Sequence, residues 1–328
     1  MGDPTPPAPT PTRRLVGIGG LGAVVSVLAG CGIRLEDDAP RVPLVPTRQP
    51  IEAEAALLRL LGALQSASTA PVDASAAISP VLAPLHLRQA EVLRDALRQR
   101  GVPQSALPTP SASPTPSASM SASASPSTSS SASSPPVPTV TAVEESVIAA
   151  AQGCAAAEEA LRPPLVALLA QAHAATELST GSRAVAPSSA THWSAPEVLA
   201  PLVGATRTAV YFLEVAAART PGKAQRVARE GIARLESLTA ELVGAAGDAA
   251  PVPELGHPLP QPVTTPAQAA ALAVRARSTL LGAFGAQLAA LTASDAEAAF
   301  ADVPRWLGSV AAEAHRGGTG LTAFPGLA

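Results

Sequence analysis

The amino-acid sequence predicts an all-α protein. Apolar residues recur at three- and four-residue spacing through the C-terminal half, which is the period of one helix face. Capping sequences stand in front of several of these stretches. Only 2% of the 328 residues are aromatic and 14% are charged, while alanine and proline are abundant. Because few large side chains are available, we expect the helices to be stabilised by close packing.

The first 30 residues have the pattern of an export signal. Residues 15–30 form an uncharged apolar run behind the pair Arg13-Arg14. As a helix this run would reach roughly 24 Å, short of the roughly 30 Å hydrocarbon core, so a spanning helix is not expected. A basic start, a short apolar region and small residues at its end are typical of a cleaved signal peptide. The arginine pair also resembles a twin-arginine signal, which leaves the export route open between that and the general one.

The end of this run, Leu28-Ala29-Gly30-Cys31, resembles the signal of the lipoprotein family. In that family the cysteine sulfur receives a diacylglyceryl group, and cleavage makes the cysteine the first mature residue. The resemblance implies that Cys31 anchors the protein to the extracytoplasmic face of the cell membrane, where two acyl chains give stable attachment. The alternative is a glycine-rich buried helix that ends in a chance cysteine.

Charge and cysteine content exclude two classes of protein. The net charge of −3 is spread along the chain without blocks, which leaves no basic surface for nucleic acid. With Cys31 acylated, Cys154 has no intramolecular partner, so a disulfide framework is not expected. Cys154 lies on an apolar stripe, which predicts a small buried side chain and not an activated thiolate.

Two segments are predicted to carry no helix. Residues 31–49 combine prolines with acidic side chains and are expected to form an extended tether above the membrane. Residues 104–139 are uncharged and consist almost entirely of Ser, Pro, Ala and Thr. Such a segment cannot bury enough apolar surface to offset its chain entropy, so we expect it to be disordered. A plain linker is the simpler interpretation, although the composition also suits O-glycosylation.

Four helices are predicted between residue 193 and the C-terminus, with short, long and short connections. The long connection, residues 248–265, contains five prolines that exclude regular structure. This order of connections is that of a ferritin-like four-helix bundle. The predicted helix starts are a capping box at Ser194 and Glu197, residue 223, a capping box at Thr265 and Gln268, and residues 294–297.

Three segments of this region, VGATRTAVYFLEV, HPLPQPVTTPAQAAALA and the terminal AFPGL, resemble the actinobacterial ferritin-like domain proteins of unknown function. The resemblance covers about residues 193–328 and implies a fold more than an activity. Residues 50–180 are predicted to add helices at 51–68, 79–100, 141–161 and 164–179. These form either a second four-helix bundle around the Ser/Pro segment or a looser set that packs on the C-terminal bundle.

Ferritin-like carboxylate proteins hold two metal ions with a Glu on each of two helices and Glu-x-x-His on the other two. The predicted C-terminal helices lack this set. Glu236 is followed three residues later by a threonine, where histidine is required, and Glu313 and His315 are wrongly spaced. The third helix offers Arg275 and Arg277 and no acidic residue. The one Glu-x-x-His, at residues 254–257, lies in the proline-rich connection, where chance accounts for it better than metal binding.

In the N-terminal half a metal site would require several separated residues to converge: His86, His173, Glu177, Glu158 and Glu159. Solvated or hydrogen-bonded side chains are the expected alternative. Tyr211, Phe212 and Trp306 are expected to fill the core, the alternative being an apolar pocket between helices. We therefore predict no catalytic residue, no metal and no cofactor.

Together these features predict a lipid-anchored extracytoplasmic protein whose helical bundle is a non-catalytic binding or structural module of the cell envelope. Its expected contacts are the membrane and either an envelope protein or a small apolar ligand. Two alternatives remain: a ferritin-like oxidase with unconventional metal ligands, and a carrier of small apolar ligands.

Overall fold

The computed structural model describes residues 48–71, 76–109, 137–183 and 191–327. These residues form eight α-helices and five short 3-10 turns and contain no strand, which confirms the all-α prediction. Cys31, the signal peptide and most of both the tether and the Ser/Pro segment lie outside the described residues. The helices are α1 (Glu54–Thr69), α2 (Ser79–Gln99), α3 (Val140–Ala150), α4 (Arg162–Thr180), α5 (Ala200–Ala218), α6 (Gly222–Ala246), α7 (Pro266–Ser294) and α8 (Ala296–Arg316).

The last four helices are joined by short, long and short connections, as predicted. Helix α5 packs against both α6 and α7, and α8 packs against α7 and α6. The long connection between α6 and α7 is mostly irregular, and we call residues 250–265 the crossover. The four helices therefore enclose one shared core, in which Leu213, Leu238, Phe284 and Leu307 are completely buried.

Three of the four predicted helix starts are confirmed, because α6 begins at Gly222, within one residue of the predicted start, and two of the predicted caps form. Thr265 and Gln268 form a capping box at the start of α7, and Asp295 caps α8 by accepting from the Ala298 amide at 3.0 Å. The predicted capping box at Ser194 is wrong. The amide and hydroxyl of Ser194 both donate to Asp295 at the α7–α8 corner, so a 3-10 turn precedes α5, which begins six residues later.

Helix α8 is buried on all sides from Asp302 to Ala314. A helix of a single four-helix bundle would expose one face, but here α4 covers that face. The two helices approach closely at Gly308, where an added Cβ would lie 2.8 Å from the Ala170 carbonyl oxygen and 2.7 Å from the Cβ of His173. Small residues thus allow α4 to join the N-terminal helices to the C-terminal ones.

The N-terminal helices pack as α1 against α2 and α3, and α3 against α4. The helix predicted at residues 141–161 is wrong in its second half, because α3 ends at Ala150. The chain turns at Gly153, whose φ of 86° lies in the left-handed region, and continues through two 3-10 turns to α4.

The C-terminal segment after α8 fastens the two halves together. Phe324 contacts both the core of the C-terminal helices and that of the N-terminal helices. The Ala323 carbonyl accepts from Gln89 of α2 at 2.7 Å. Gly326 lies directly on Gly285 of α7, where a Cβ on Gly285 would overlap the Gly326 carbonyl. Residues 49–328 accordingly form one compact unit.

Candidate functional site

A large cavity lies where the crossover passes over α5 and α6. It has a volume of about 740 Å³ and is bounded by α5, α6 and residues 251–257. We call it the crossover cleft. This volume falls within the range of small-molecule binding sites, roughly 300 to 1,000 Å³.

The walls of the crossover cleft are held in place by hydrogen bonds and ring contacts. The Arg207 guanidinium of α5 donates to the Pro251 carbonyl, which ties the start of the crossover to the helix. Further along, the His257 ring packs edge-on against Tyr211 with 5.5 Å between ring centroids. Thr208 lies 3.4 Å from His257 Nδ1. Two separate attachments therefore support this stretch of irregular chain.

The lining of the crossover cleft combines carboxylates with apolar side chains. Glu214 of α5 and Glu236 of α6 are exposed in it, together with Glu254 of the crossover. Val252 and Leu255 stand at its edge and are 86% and 109% exposed. Exposed aliphatic side chains beside a cavity indicate a binding site better than isolated ones elsewhere, because a ligand in the cavity can contact them.

The sequence-predicted aromatic residues divide between core and cleft. Trp306 is fully buried and stacks on Trp193, with ring centroids 6.0 Å apart. Tyr211 is half-buried and lines the crossover cleft, and Phe212 lines a second cavity of about 360 Å³ on the other side of the crossover. The expectation that all of these rings fill the core is therefore right for Trp306 and wrong for Tyr211.

Glu313 is a buried carboxylate of the C-terminal bundle, only 2% exposed. Each of its oxygens is bound by one arginine: Arg277 of α7 donates to Oε1 at 2.9 and 3.1 Å, and Arg234 of α6 donates to Oε2 at 2.7 and 3.0 Å. Gly231 leaves the room for this carboxylate, since a Cβ there would overlap Oε1. The cluster joins three helices through charge-assisted hydrogen bonds.

A second network of charges lies between α4, α6 and α8. Arg316 donates to Glu177 of α4 at 2.7 Å, and Ser309 donates to the same carboxylate at 2.8 Å. Glu241 of α6 is bound by Arg305 and Arg183. Although burial opposes it, the hydrogen bond from Arg305 and the nearby guanidinium charges lower the pKa of Glu241. Glu177 and Glu241 therefore link helices through charge-assisted hydrogen bonds.

The N-terminal helices contain a buried chain of polar side chains. His86 of α2 lies 3.0 Å from Glu144 Oε1 of α3 and 3.1 Å from Gln89 Oε1. Gln89 in turn donates to Gln171 of α4 at 3.0 Å. Glu144 Oε2 and Gln171 Nε2 are buried without a hydrogen-bond partner. Glu144 and His86 line a cavity of about 30 Å³, the space of one water molecule.

The residues considered for a metal site in the N-terminal half do not converge. His86 pairs with Glu144, Glu177 is bound by Arg316, and Glu158 binds Arg100 at 2.5 Å. His173 is half-buried beside α8, and removal from solvent followed by the charge of Arg305 lowers its pKa to about 4. Within the described ranges, no group of three His, Cys, Asp or Glu side chains is placed to hold a metal ion together.

The C-terminal metal candidates are also separated. Glu236 faces the crossover cleft, Glu313 lies inside the bundle, and His315 Nδ1 lies 3.2 Å from the Thr319 carbonyl. Of the two arginines of the third predicted helix, Arg277 is buried and Arg275 is exposed. The Glu254–His257 pair forms at 3.3 Å on the wall of the cleft.

Three buried polar residues of the N-terminal helices were not predicted from the sequence. Glu144, Gln89 and Gln171 occupy core positions of their helices, and their only sequence signal is that they fall at helical spacing among apolar residues.

Cys154 is confirmed as a buried free thiol, and burial raises its pKa to about 11. Along the described chain, Pro196–Ala218 has the length and hydropathy of a membrane span, a property that core helices share.

Comparison with known proteins gives no relative for this chain. No protein-family model matches it, and neither a curated protein nor a solved structure matches it significantly.

Proposed function

We propose that this protein is a lipid-anchored, extracytoplasmic binding module of the cell envelope, with a ferritin-like bundle and no catalytic activity of its own. Cys31 is its anchor and the crossover cleft is its ligand site. The single observation that carries the ligand site is a cavity of about 740 Å³ bounded by two helices and a fixed crossover. A site on fixed elements suits binding, because little ordering is needed when the ligand arrives.

The non-catalytic part of the proposal is supported by how the polar groups are used. Arg207 and His257 hold the crossover on α5, and the buried Glu313 carboxylate is bound by two arginines. A general base or metal ligand must be free to exchange protons or ligands, whereas these groups are occupied in packing. The ferritin-like fold is supported by the short, long and short connections of α5–α8.

The ligand site is tested by filling it. Ala240 of α6 is exposed and lines the crossover cleft, so Ala240→Trp occupies the cavity with little effect on the core. We expect compounds that raise the melting temperature of the wild-type protein in a small-molecule screen to lose this effect in the variant. Ala233→Trp, exposed on the same helix but outside the cleft, is the control and should respond like wild type. Equal responses of all three proteins would contradict the proposed site.

A further inference from the structure

The crossover cleft has an unbalanced charge. The charged side chains lining it are three carboxylates and one guanidinium, and Arg207 already donates to the Pro251 carbonyl. Glu254 lies 3.3 Å from His257. Within the part of the chain that the structure describes, Glu214 and Glu236 form no ion pair. Counted without His257, the lining therefore carries a net charge of −2, and Glu214 and Glu236 are its two carboxylates without an ion-pair partner in the described chain.

These two carboxylates come from different walls of the cleft. Glu214 belongs to α5 and Glu236 to α6, so a ligand in the cleft lies between them and the crossover. Both carboxylates are exposed to solvent, so dissolved salt screens their interaction with a charged ligand. A cation would be attracted by Glu214 and Glu236, an attraction that the positive charge of Arg207 on α5 partly offsets, and an anion would meet net repulsion.

The rest of the lining favours an aliphatic chain beside the charge. Val210, Val252 and Leu255 provide apolar contact, and the Tyr211 ring provides a face for a cation. The volume of about 740 Å³ suits a free small molecule and not a folded partner. The lining thus offers carboxylates, an aromatic ring and aliphatic side chains in one cavity.

From this combination we infer that the crossover cleft binds a small organic cation, an ammonium or guanidinium group carried on an aliphatic chain. The inference rests on the proposed function, because it specifies the chemical class of the ligand of that same site. Glu214 and Glu236 bind the cationic group, and Val252 and Leu255 contact its chain.

The test uses three probes of equal length and different charge: 1,8-diaminooctane, 1,8-octanediol and octanedioate. Isothermal titration calorimetry of the full-length protein at low salt should give saturable binding for the diamine alone. Adding salt should weaken this binding, because charge supplies the selectivity. The double variant Glu214→Gln/Glu236→Gln should bind the diamine at least about tenfold more weakly, since charge-assisted contacts are lost. The matched control is Glu145→Gln, which makes the same chemical change at an exposed position of α3 and should leave binding unchanged.

The outcomes separate the ligand class from the site itself. If the diol or the dianion binds as tightly as the diamine and Ala240→Trp abolishes that binding, the cleft is a ligand site but the cationic class is wrong. If the diamine binds equally to wild type and the double variant, its binding lies elsewhere and the inference is wrong. If none of the three probes binds, the inference is also wrong, and the small-molecule screen with Ala240→Trp then decides the proposed site independently.

Discussion

At the scale of single residues, Glu313 illustrates why a buried carboxylate is poor evidence for a metal. Its two oxygens accept four hydrogen bonds from Arg234 and Arg277. Removing one partner from such a cluster is costly because a buried charge is left unpaired. The sequence displays Glu313 and Arg277 as separate residues, and only the packing of α6, α7 and α8 brings them together.

Gly231 should be essential to this cluster. In Gly231→Ala the new Cβ would force the Glu313 carboxylate away from its arginines, which hold it too tightly to yield freely. We expect a loss of about 1–3 kcal/mol in the free energy of unfolding, as for other overpacked sites. Urea denaturation measures it. Gly244→Ala on the same helix is the control, since nothing lies within 4 Å of its Cβ and helix propensity alone should make it neutral or stabilising. Equal stability of the two variants would contradict the proposed constraint.

The buried pair of His86 and Glu144 should make stability depend on pH. Burial alone would lower the pKa of His86, but the hydrogen bond and charge of Glu144 raise it overall, while burial raises the pKa of Glu144. Groups whose pKa rises on folding stabilise the protein at low pH, and this stability is lost as the pH rises through the folded-state pKa. We therefore expect the contribution of Glu144 to decline as the pH rises above about 4.3 and that of His86 to decline above about 6.5, the ordinary pKa values of the two side chains.

Glu144→Gln tests this pH dependence. Its free energy of unfolding should fall less steeply than that of wild type between about pH 6.5 and 9, because the buried carboxylate is gone. Glu145→Gln, one residue further and exposed, should follow the wild-type profile. Parallel profiles for the two variants would show that the pair does not titrate in this range.

At the scale of helices, the sequence predicted where helices occur better than it predicted which face of each helix is buried. The period of apolar residues located all four C-terminal helices, and the caps at Thr265 and Asp295 fixed two of their starts. The buried face of α7 is completed by Phe284 and Leu288, whereas the neighbouring Ala283 and Gln287 are half-buried. In an alanine-rich helix many positions are apolar enough for either side, so the neighbours decide which is covered.

The crossover cleft was harder to predict for a related reason. Its walls come from two helices and from irregular chain whose path depends on contacts of Arg207 and Tyr211. The pair Glu254 and His257 was interpreted as chance because no helix aligns it, yet the two side chains meet on the cleft wall. Local sequence patterns describe helices, whereas this site depends on how a loop packs.

The contact between α7 and the C-terminal segment should be sensitive to one methyl group. A Cβ on Gly285 would overlap the backbone of Gly326, which cannot move without displacing the segment. We expect Gly285→Ala to lower the free energy of unfolding by roughly 2 kcal/mol and to speed removal of the last residues by carboxypeptidase. Gly282→Ala on the same helix has open space around its Cβ and should behave like wild type in both measurements. Unchanged trimming in Gly285→Ala would contradict the fastening role of the segment.

At the scale of the whole molecule, the N-terminal and C-terminal helices bury one another's surfaces. Helices α4 and α8 are each almost fully enclosed because each serves both halves. A chain with few aromatic residues thus forms a large core through close helix packing, with alanine and glycine where α4 meets α8. Because α4 packs against both α3 and α8, the N-terminal and C-terminal helices belong to one compact unit, residues 49–328.

Anchoring is also a property of the whole chain. If acyl chains on Cys31 hold the protein at the membrane, Cys31→Ser should lose lipid labelling and move from the membrane fraction to the soluble fraction of the envelope. Cys154→Ser is the control, because that thiol is buried and should not be labelled in wild type. Undiminished membrane retention of Cys31→Ser would contradict the lipoprotein proposal.

We propose that the buried charged side chains of the C-terminal bundle link its helices and do not form a redox-active metal site. Incubation of the full-length protein with ferrous iron and oxygen tests this most directly. We expect no stoichiometric iron after gel filtration, no oxidation faster than in buffer, and no change of melting temperature with chelator, because Glu313 is already bound by Arg234 and Arg277. Iron or manganese retained stoichiometrically, and lost in Glu236→Ala or Glu313→Gln, would contradict the non-catalytic function.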